Sequence, residues 1–337
     1  MIIYGSDFMD YFLDSGYINM LQIMRKNPYT VILIGGRGIG KTYSVLDHLL
    51  KNKEKFILIR RTTTEREFLR DLEFNPLNVF LNGGEFKVDT GKYIDKYIYN
   101  EKVIAYCTNL STVGKIRGLD GRQITALFFD EFIPDITEKR MTHEAHALFQ
   151  LYESVNRNRE FNGFPPLKLF LCANSNNIFS DIIDGFKLSD IFFSMRENGE
   201  EFKYIKSKKM FIGDIRHSPV SAKKKNTYLY KLTEGTDFYN MSIKNTFAND
   251  YRDYIGIPYQ WKEYKPYVDI KNIHVLKHIN KPLLVVTSRN RGTARKKYFR
   301  MYDFFKEYNL ILSKHFTRKS IFFESSEIAC LFEDFLV

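Results

Sequence analysis

The feature that most constrains this chain is a glycine-rich turn between two regular segments. Residues 30–36 begin as an apolar run typical of a buried strand, and residues 41–52 show the spacing of a helix. Three of the four residues after Ile34 are glycine. Because glycine has no side chain, such a turn can point consecutive backbone N–H groups at one anion. The order strand, glycine turn, helix predicts an α/β domain with an anion site at the turn.

The turn satisfies the pattern G-x-x-x-x-G-K-[ST], which is typical of loops that bind nucleotide phosphates. Lys41 would reach the β- and γ-phosphates, and the Thr42 hydroxyl would ligate Mg²⁺. ATP and Mg²⁺ are therefore the predicted cofactors. The alternative is a chance match, expected in about one chain of this length in a hundred. The predicted phosphate-binding residues are Gly35, Gly36, Arg37, Gly38, Ile39, Gly40, Lys41 and Thr42.

A second apolar run, "ITALFFDEF" at residues 124–132, ends in two acids. Asp130 would lie beside the glycine turn and hold Mg²⁺, directly or through water. Glu131 would polarise an attacking water as general base. Kinases of small molecules exclude water and have no need of this glutamate, so the Asp-Glu pair favours hydrolysis. The alternative is an ordinary acidic strand end.

Asn174 ends a further apolar run, "LKLFLCANS" at residues 167–175. In hydrolytic phosphate-loop enzymes, a polar residue at the end of a strand inserted between the other two contacts the γ-phosphate or the attacking water. We predict this role for Asn174, and a turn-forming asparagine is the alternative.

Two arginines, Arg157 and Arg159, lie near the end of a helix predicted over residues 143–159. On a helix they would point about 200° apart, so they cannot face the same way. One of them could act as an arginine finger on a neighbouring subunit's nucleotide. The alternative is two solvated arginines at a helix C-terminus, where positive charge is favourable.

Charge and composition indicate the partner class. The net charge of +11 points to a polyanion partner, with nucleic acid first, although a basic surface also serves solubility. The three cysteines are far apart and fit no metal spacing, which favours a reducing compartment. No apolar run approaches 18 residues, so no membrane span is expected.

The length of 337 residues favours two domains. We predict an α/β domain over residues 1–205, a basic connecting module over 206–249 and a smaller α+β domain over 250–337. Residues 206–231 carry eight Lys or Arg against one Asp. The candidate DNA contacts in the two basic stretches are Lys223, Lys224, Lys225, Arg291, Arg295, Lys296 and Lys297.

The motifs "GGRGIGKT", "FFDEF", "NRNRE" and "CANS", in this order and spacing, resemble the DNA-packaging (encapsidation) ATPases of small tailed bacteriophages of the picovirus type. The resemblance covers most of the first 250 residues and weakens beyond them. It implies a P-loop NTPase domain of the additional-strand, catalytic-glutamate class, related to ring translocases. It also implies a C-terminal domain similar to the RNase H-like nuclease domain of larger terminases.

The resemblance further implies a motor that drives double-stranded DNA into an empty capsid with ATP. A pentameric ring at the portal vertex, in some members with a structural RNA, would act in the host cell cytoplasm, attached transiently to the procapsid. By position, the resemblance implies that Lys41 and Thr42 bind phosphate and Mg²⁺, that Asp130 binds Mg²⁺ and that Glu131 is the base. Three candidates could act across the subunit interface: Arg157 as the finger, Lys115 in "STVGKIRG", and Arg159.

The C-terminal region departs from an active nuclease, whose site needs several converging carboxylates for two metals. Asp269 is the only acid at the end of a plausible early strand, and residues 286–300 carry six Lys or Arg and no acid. We predict a degenerate nuclease-like domain that has lost the chemistry and binds a polyanion. A solvated helix face is the alternative interpretation of the basic run.

Two other functions remain open from the sequence. A helicase or loader-type ATPase would act on single strands, and stimulation by double- but not single-stranded DNA would exclude it. A capsid-docking structural protein would have only a weak nucleotide site, and an assay of ATP turnover would exclude that. The set Lys41, Asp130, Glu131 and Asn174 argues against the structural role.

Overall fold

The chain divides into two compact units, Met1–Ala248 and Asn249–Val337, in a computed structural model. The model describes residues 10–116, 121–134, 141, 143–174, 180–236, 239, 254–325, 328–329 and 331–332. The predicted boundary at 249–250 lies outside the described residues. None of the helices in these ranges is both long and apolar enough to span a bilayer.

The first unit is built on one sheet of nine strands with helices between them. The strands are β1 (Thr30–Gly35), β2 (Phe56–Arg60), β3 (Phe86–Asp89), β4 (Ile94–Tyr99), β5 (Lys102–Asn109), β6 (Ala126–Asp130), β7 (Lys168–Ala173), β8 (Phe202–Ile205) and β9 (Met210–Ile215). The helices among the described residues of this unit are α1 (Met20–Met24), α2 (Lys41–Lys51), α3 (Thr63–Phe68), α4 (Glu144–Asn156), α5 (Asp181–Gly185), α6 (Ser189–Glu197), α7 (Pro219–Lys224) and α8 (Tyr228–Leu232).

The strand order is β3-β4-β5-β2-β6-β7-β1-β9-β8. The six strands from β5 to β9 pair in parallel, and antiparallel strands close both edges. Nearly every residue of β1, β6 and β7 is buried, as expected for parallel strands covered on both faces. Strand β7 lies between β1 and β6, the inserted position that the sequence predicted for the strand ending before Asn174.

The predicted domain boundary at residue 205 is wrong. Strand β9 pairs in parallel with β1 along its whole length, from Thr30↔Met210 to Gly35↔Ile215, and all six of its residues are buried. The lysines of the short 3-10 turn Lys206–Lys208 gave the segment the composition of a linker. The average charge of residues 206–231 concealed the apolar run "MFIGDI". Because the first unit extends to Ala248, the predicted connecting module of 206–249 is not a separate module.

The second unit is α+β, as predicted. Its mixed five-stranded sheet has the order β13-β10-β11-β12-β14. Strands β10 to β12 form an antiparallel meander, while β13 joins β10 and β14 joins β12 in parallel. The strands are β10 (Tyr264–Ile270), β11 (Ile273–His278), β12 (Leu284–Thr287), β13 (Lys296–Tyr298) and β14 (Ile321–Phe323), with α9 (Met301–Thr317) before the last. Helix α9 buries Phe304, Phe305, Tyr308 and Leu312 in the unit's core.

We expect Phe211→Ala, in β9, to lower the free energy of unfolding by about 3–5 kcal/mol, because the ring is buried and its surroundings relax only partly into the cavity it leaves. Phe161→Ala is the matched control. Its ring is 90% exposed, so the change should stay within about 0.5 kcal/mol. Urea unfolding followed by circular dichroism measures both. Equally small changes in the free energy of unfolding for both variants would indicate that residues 206–215 form a linker and not a core strand.

Candidate functional site

The glycine loop, residues 35–42, joins β1 to α2. Gly38 and Gly40 have φ of +72° and +84°, in the left-handed region that side chains rarely adopt. A Cβ on Gly40 would also lie 2.8 Å from the Tyr17 Cβ. Glycine is therefore required at both positions by backbone conformation, and at Gly40 by packing as well.

Lys41, the first residue of α2, turns its side chain back along the loop. Its Nζ donates to the Gly35 and Gly36 carbonyls, 2.8 Å away in each case, and to Asn174 Oδ1 at 3.3 Å. Burial lowers the pKa of Lys41 to about 8, although the nearby carboxyl groups of Asp130 and Glu131 act to raise it. The loop thus holds a buried ammonium group at its centre.

Thr42 and Asp130 meet directly. The Thr42 hydroxyl donates to Asp130 Oδ1 at 2.8 Å. Asp130 ends β6 and is buried. Burial raises the pKa of Asp130, while the Arg60 charge and the Thr42 hydroxyl act in the opposite direction. A hydroxyl and a carboxylate at this spacing offer the oxygen ligands that Mg²⁺ takes.

Glu131 follows β6 with a φ of +57°, an unusual conformation for a residue that has a side chain. Its carbonyl accepts a bond from Arg61 Nη2 at 2.9 Å. Arg61 is itself buried and paired with Glu144 of α4. The Glu131 side chain remains 54% exposed, so its carboxylate can still face a reacting group while its backbone is fixed.

Arg60 was missed by the sequence analysis, although it ends the apolar run "FILIR". Its Nη1 lies 3.4 Å from Asp130 Oδ2, and its Nη2 lies 3.3 Å from Glu131 Oε2. Strand β2 pairs in parallel with β6, so the carboxyl ends of the two strands are neighbours. An arginine ending a buried strand was the signal, and its meaning depended on knowing that β2 adjoins β6.

A cavity of about 420 Å³ opens over the glycine loop. The sequence had indicated most of its lining, but not the two tyrosines, whose ring centroids lie 6.0 Å apart. The lining residues are Tyr17, Arg37, Gly38, Gly40, Lys41, Thr42, Tyr43, Asp130, Glu131, Ala173 and Asn174. The structure therefore gathers the predicted phosphate-loop, acidic and asparagine residues around one space.

The predicted helix over 143–159 is too long, and the argument from its faces is wrong. Helix α4 ends at Asn156, and Arg157 caps it with a φ of +41°. Arg157 is exposed, and its Nε donates to the Ser154 carbonyl. The chain leaves the helix there because a residue with positive φ cannot continue a right-handed helix.

Arg159 is engaged by its own chain. Its Nη1 donates to the Arg122 and Ile124 carbonyls, and its Nε donates to the Pro165 carbonyl. This arrangement fits a structural role for Arg159. Lys115 ends a 3-10 helix, Leu110–Lys115, and is exposed.

Lys224 does not belong with its neighbours among the candidate DNA contacts. Lys223 and Lys225 are exposed, whereas the Lys224 ammonium donates to the Arg37 carbonyl in the glycine loop. The sequence shows three equivalent lysines in a row. The difference arises because α7 ends at Lys224 next to the glycine loop.

Several charges in the second unit also have partners that the sequence pattern did not show. Lys296 pairs with Glu307, and the Arg291 guanidinium lies 4.5 Å from the centroid of the Trp261 ring. Arg295 and Lys297 are exposed. Asp269 accepts from the Ala294 N–H at 3.1 Å and lies 2.8 Å from His274 Nδ1. Throughout the described part of the chain, no group of three His, Cys, Asp or Glu could hold a metal.

Comparison with known proteins now identifies the lineage. The family model of the Podovirus DNA encapsidation protein (Gp16) matches residues 12–303. The chain belongs to this family. The resemblance that the sequence motifs carried is thereby confirmed.

Two relatives and one solved structure show how similar this chain is to known proteins in sequence and in fold. A DNA packaging protein of Bacillus phage B103 is 28% identical over 65% of this chain and 64% of its own length, just under two thirds. A DNA packaging protein of Bacillus phage phi29 is 25% identical over 71% and 68%. A chain of the bacteriophage Phi-29 viral genome packaging motor assembly superposes with a TM-score of 0.62, covering 94% of this chain and 98% of that one. At 18% identity, that match shows a shared fold.

The buried Lys41 should make stability depend on pH in a defined direction. Its pKa is about 8 in the folded chain and near 10.5 when exposed, so between these values the unfolded chain binds more protons. The free energy of unfolding of the wild type, minus that of Lys41→Met, should therefore rise from about pH 8 toward 10, by at most ~1.4 kcal/mol per pH unit. Below pH 8 the difference should be flat.

Urea unfolding at intervals between pH 7 and 10 measures this difference. The same substitution at the exposed Lys231 controls for loss of surface charge. A flat difference across the whole range would mean that Lys41 keeps its proton in the folded chain.

Proposed function

We propose that this protein is an ATPase whose hydrolysis drives double-stranded viral DNA into a preformed capsid. One observation carries the proposal: Lys41, Thr42, Asp130, Glu131 and Asn174 converge on one cavity in a chain of the encapsidation family. The names of the relatives, which are DNA packaging proteins, support the same function.

The cavity fits a nucleotide with its metal. The glycine loop offers backbone donors and, at Lys41, a buried ammonium group for the β- and γ-phosphates. Thr42 and Asp130 would hold Mg²⁺, which when bound neutralises charge on the phosphate oxygens. Because Mg²⁺ needs an ionised carboxylate, the Arg60 charge that opposes the raised pKa of Asp130 supports the metal site.

Glu131 is the proposed general base. Its carboxylate is exposed to the cavity, and Arg61 fixes its backbone. Asn174 lies beside Lys41, where its amide can orient a phosphate or a water. Arg60 contacts both carboxylates, so we assign it the positioning of Glu131 relative to Asp130. Together these residues orient and deprotonate water for in-line attack.

The proposed working form is a homo-oligomeric ring, pentameric by resemblance, at the portal vertex of a procapsid in the host cell cytoplasm. Arg157 is the proposed trans finger, since it is exposed at the end of α4. Lys115, also exposed, is the second trans candidate. A structural RNA is a further candidate partner. The name of the structural neighbour, a packaging motor assembly, agrees with such an arrangement.

DNA binding is proposed for the exposed basic side chains outside the nucleotide site. They are Lys223, Lys225, Arg291, Arg295 and Lys297, with Lys296 as a weaker candidate because Glu307 neutralises it. Contacts to phosphates are independent of sequence, which suits a motor that must pass any sequence. We keep the proposal that the second unit is a degenerate RNase H-like domain that binds nucleic acid.

The expected activity is ATP hydrolysis stimulated by double-stranded DNA. Glu131→Gln should bind ATP with nearly wild-type affinity and lower turnover by a factor on the order of 10²–10⁴, since it removes only the base. Lys41→Ala should instead weaken binding itself. Phosphate release and equilibrium titration measure the two effects.

Each alternative predicts a different result in the same assays. Stimulation by single-stranded DNA alone would favour a helicase or loader. Wild-type turnover in Glu131→Gln would remove the glutamate from the mechanism, and no turnover by the wild type with any DNA would favour a structural role.

The trans role of Arg157 predicts complementation. Arg157→Ala and Glu131→Gln subunits should each be inactive. Where a Glu131→Gln subunit donates its Arg157 to the intact Glu131 of an Arg157→Ala neighbour, one competent site is rebuilt. Mixing should therefore restore part of the ATPase activity.

Doping wild-type subunits into either variant establishes that rings exchange subunits and tolerate inactive neighbours. Arg159→Ala provides the comparison, since its loss should affect stability rather than complementation. If exchange occurs and mixing restores nothing, Arg157 acts in cis or has no catalytic role.

A further inference from the structure

A second cation reaches the glycine loop from α7, a helix that the sequence had assigned to a linker. Lys224 ends this helix, and its ammonium donates to the Arg37 carbonyl. A Cβ placed on Gly38 would lie 2.5 Å from Lys224 Nζ. Glycine at position 38 therefore permits the left-handed backbone and also leaves room for this ammonium.

Lys224 and Lys41 are two like charges at one loop. The Lys224 charge lowers the pKa of Lys41 beyond the effect of burial, and burial lowers the pKa of Lys224 as well. Two ammonium groups beside a loop of backbone donors form an arrangement suited to a polyanion. A phosphate oxygen is a stronger partner for Lys224 than the neutral carbonyl that it contacts in the structure.

The position of the contact indicates which phosphate is involved. The Lys41 ammonium lies at the Gly35 and Gly36 carbonyls, and in such loops this group takes the β- and γ-phosphates. Arg37 is the next residue. Lys224 therefore contacts the carbonyl that directly follows the two carbonyls bound by Lys41.

Helix α7 has a fixed N-terminal end, and its C-terminal end continues into α8. Ser218 caps it, and Pro219 and Val220 pack so closely on Gly16 that a Cβ there would lie 3.0 Å from each. After Lys224 the chain continues into α8 and then to the second unit. Lys224 thus lies in the part of the sequence between the glycine loop and the second unit.

We propose that Lys224 binds the γ-phosphate of ATP, so that α7 and α8 respond to ATP but not to ADP. This inference rests on the proposed function. With the γ-phosphate present, Lys224 exchanges the Arg37 carbonyl for a charged acceptor. Without that phosphate, the Arg37 contact holds the end of α7.

The test compares binding of ATPγS and ADP by equilibrium titration with the full-length protein. Lys224→Ala should weaken ATPγS binding by about 10- to 100-fold, the loss expected for one charged hydrogen bond, and leave ADP within about threefold. Lys224→Arg should restore most of the preference for ATPγS. Lys231→Ala, on α8, removes an exposed charge nearby and should behave as wild type.

Hydrogen exchange of residues 219–236 gives the second readout. In the wild type this segment should exchange differently with ATPγS and with ADP, and in Lys224→Ala the difference should vanish. An unchanged ratio of ATPγS to ADP affinity in Lys224→Ala overturns the inference, and if both affinities fall equally, the contact is purely structural. If the wild type binds no ATPγS, or Lys41→Ala binds it normally, the proposed function itself fails.

Discussion

The Lys41 ammonium is buried, and a buried charge is tolerated only when hydrogen bonds surround it. Two of its acceptors come from the end of β1 and the third from Asn174, after β7. This requirement ties β7 to a place beside β1. Strand β6 pairs with the other edge of β7, which brings Asp130 within hydrogen-bonding distance of Thr42. One solvation requirement thus connects the glycine loop to the strand order of the sheet.

Four adjacent strands, β2, β6, β7 and β1, each deliver part of the site at their carboxyl ends. In spatial order these parts are Arg60, Asp130 with Glu131, Asn174 and the glycine loop. The two carboxylates lie between Arg60 and the Lys41 ammonium, and the Arg60 charge opposes the rise that burial causes in the pKa of Asp130. Parallel strands make this possible because all their carboxyl ends meet at one edge.

The sequence predicted those parts of the site in which one motif carries its own chemistry. The glycine loop, the Asp-Glu pair and Asn174 follow apolar runs, and the inserted position of β7 agrees with the prediction. Arg60 was missed, and the contact of Lys224 with the glycine loop was not predicted, because these placements depend on strand pairing and on a contact between distant residues. Strand β9 was hidden by the lysines before it, and the end of α4 depended on the backbone conformation of Arg157. The roles proposed for Arg157, Lys115 and the basic residues of the second unit remain predictions.

The late position of β9 in the chain has a consequence for biosynthesis. Strand β1 lies between β7 and β9, so Thr30 pairs with Leu169 on one side and Met210 on the other. During translation β1 emerges before β7 and β9, so neither of its edges can form its native pairing until those strands leave the ribosome. Pairing over such distances is slow and leaves nascent chains open to aggregation. The segment that ends in the glycine loop is therefore made before both of its partner strands and takes its place in the sheet only after they are made.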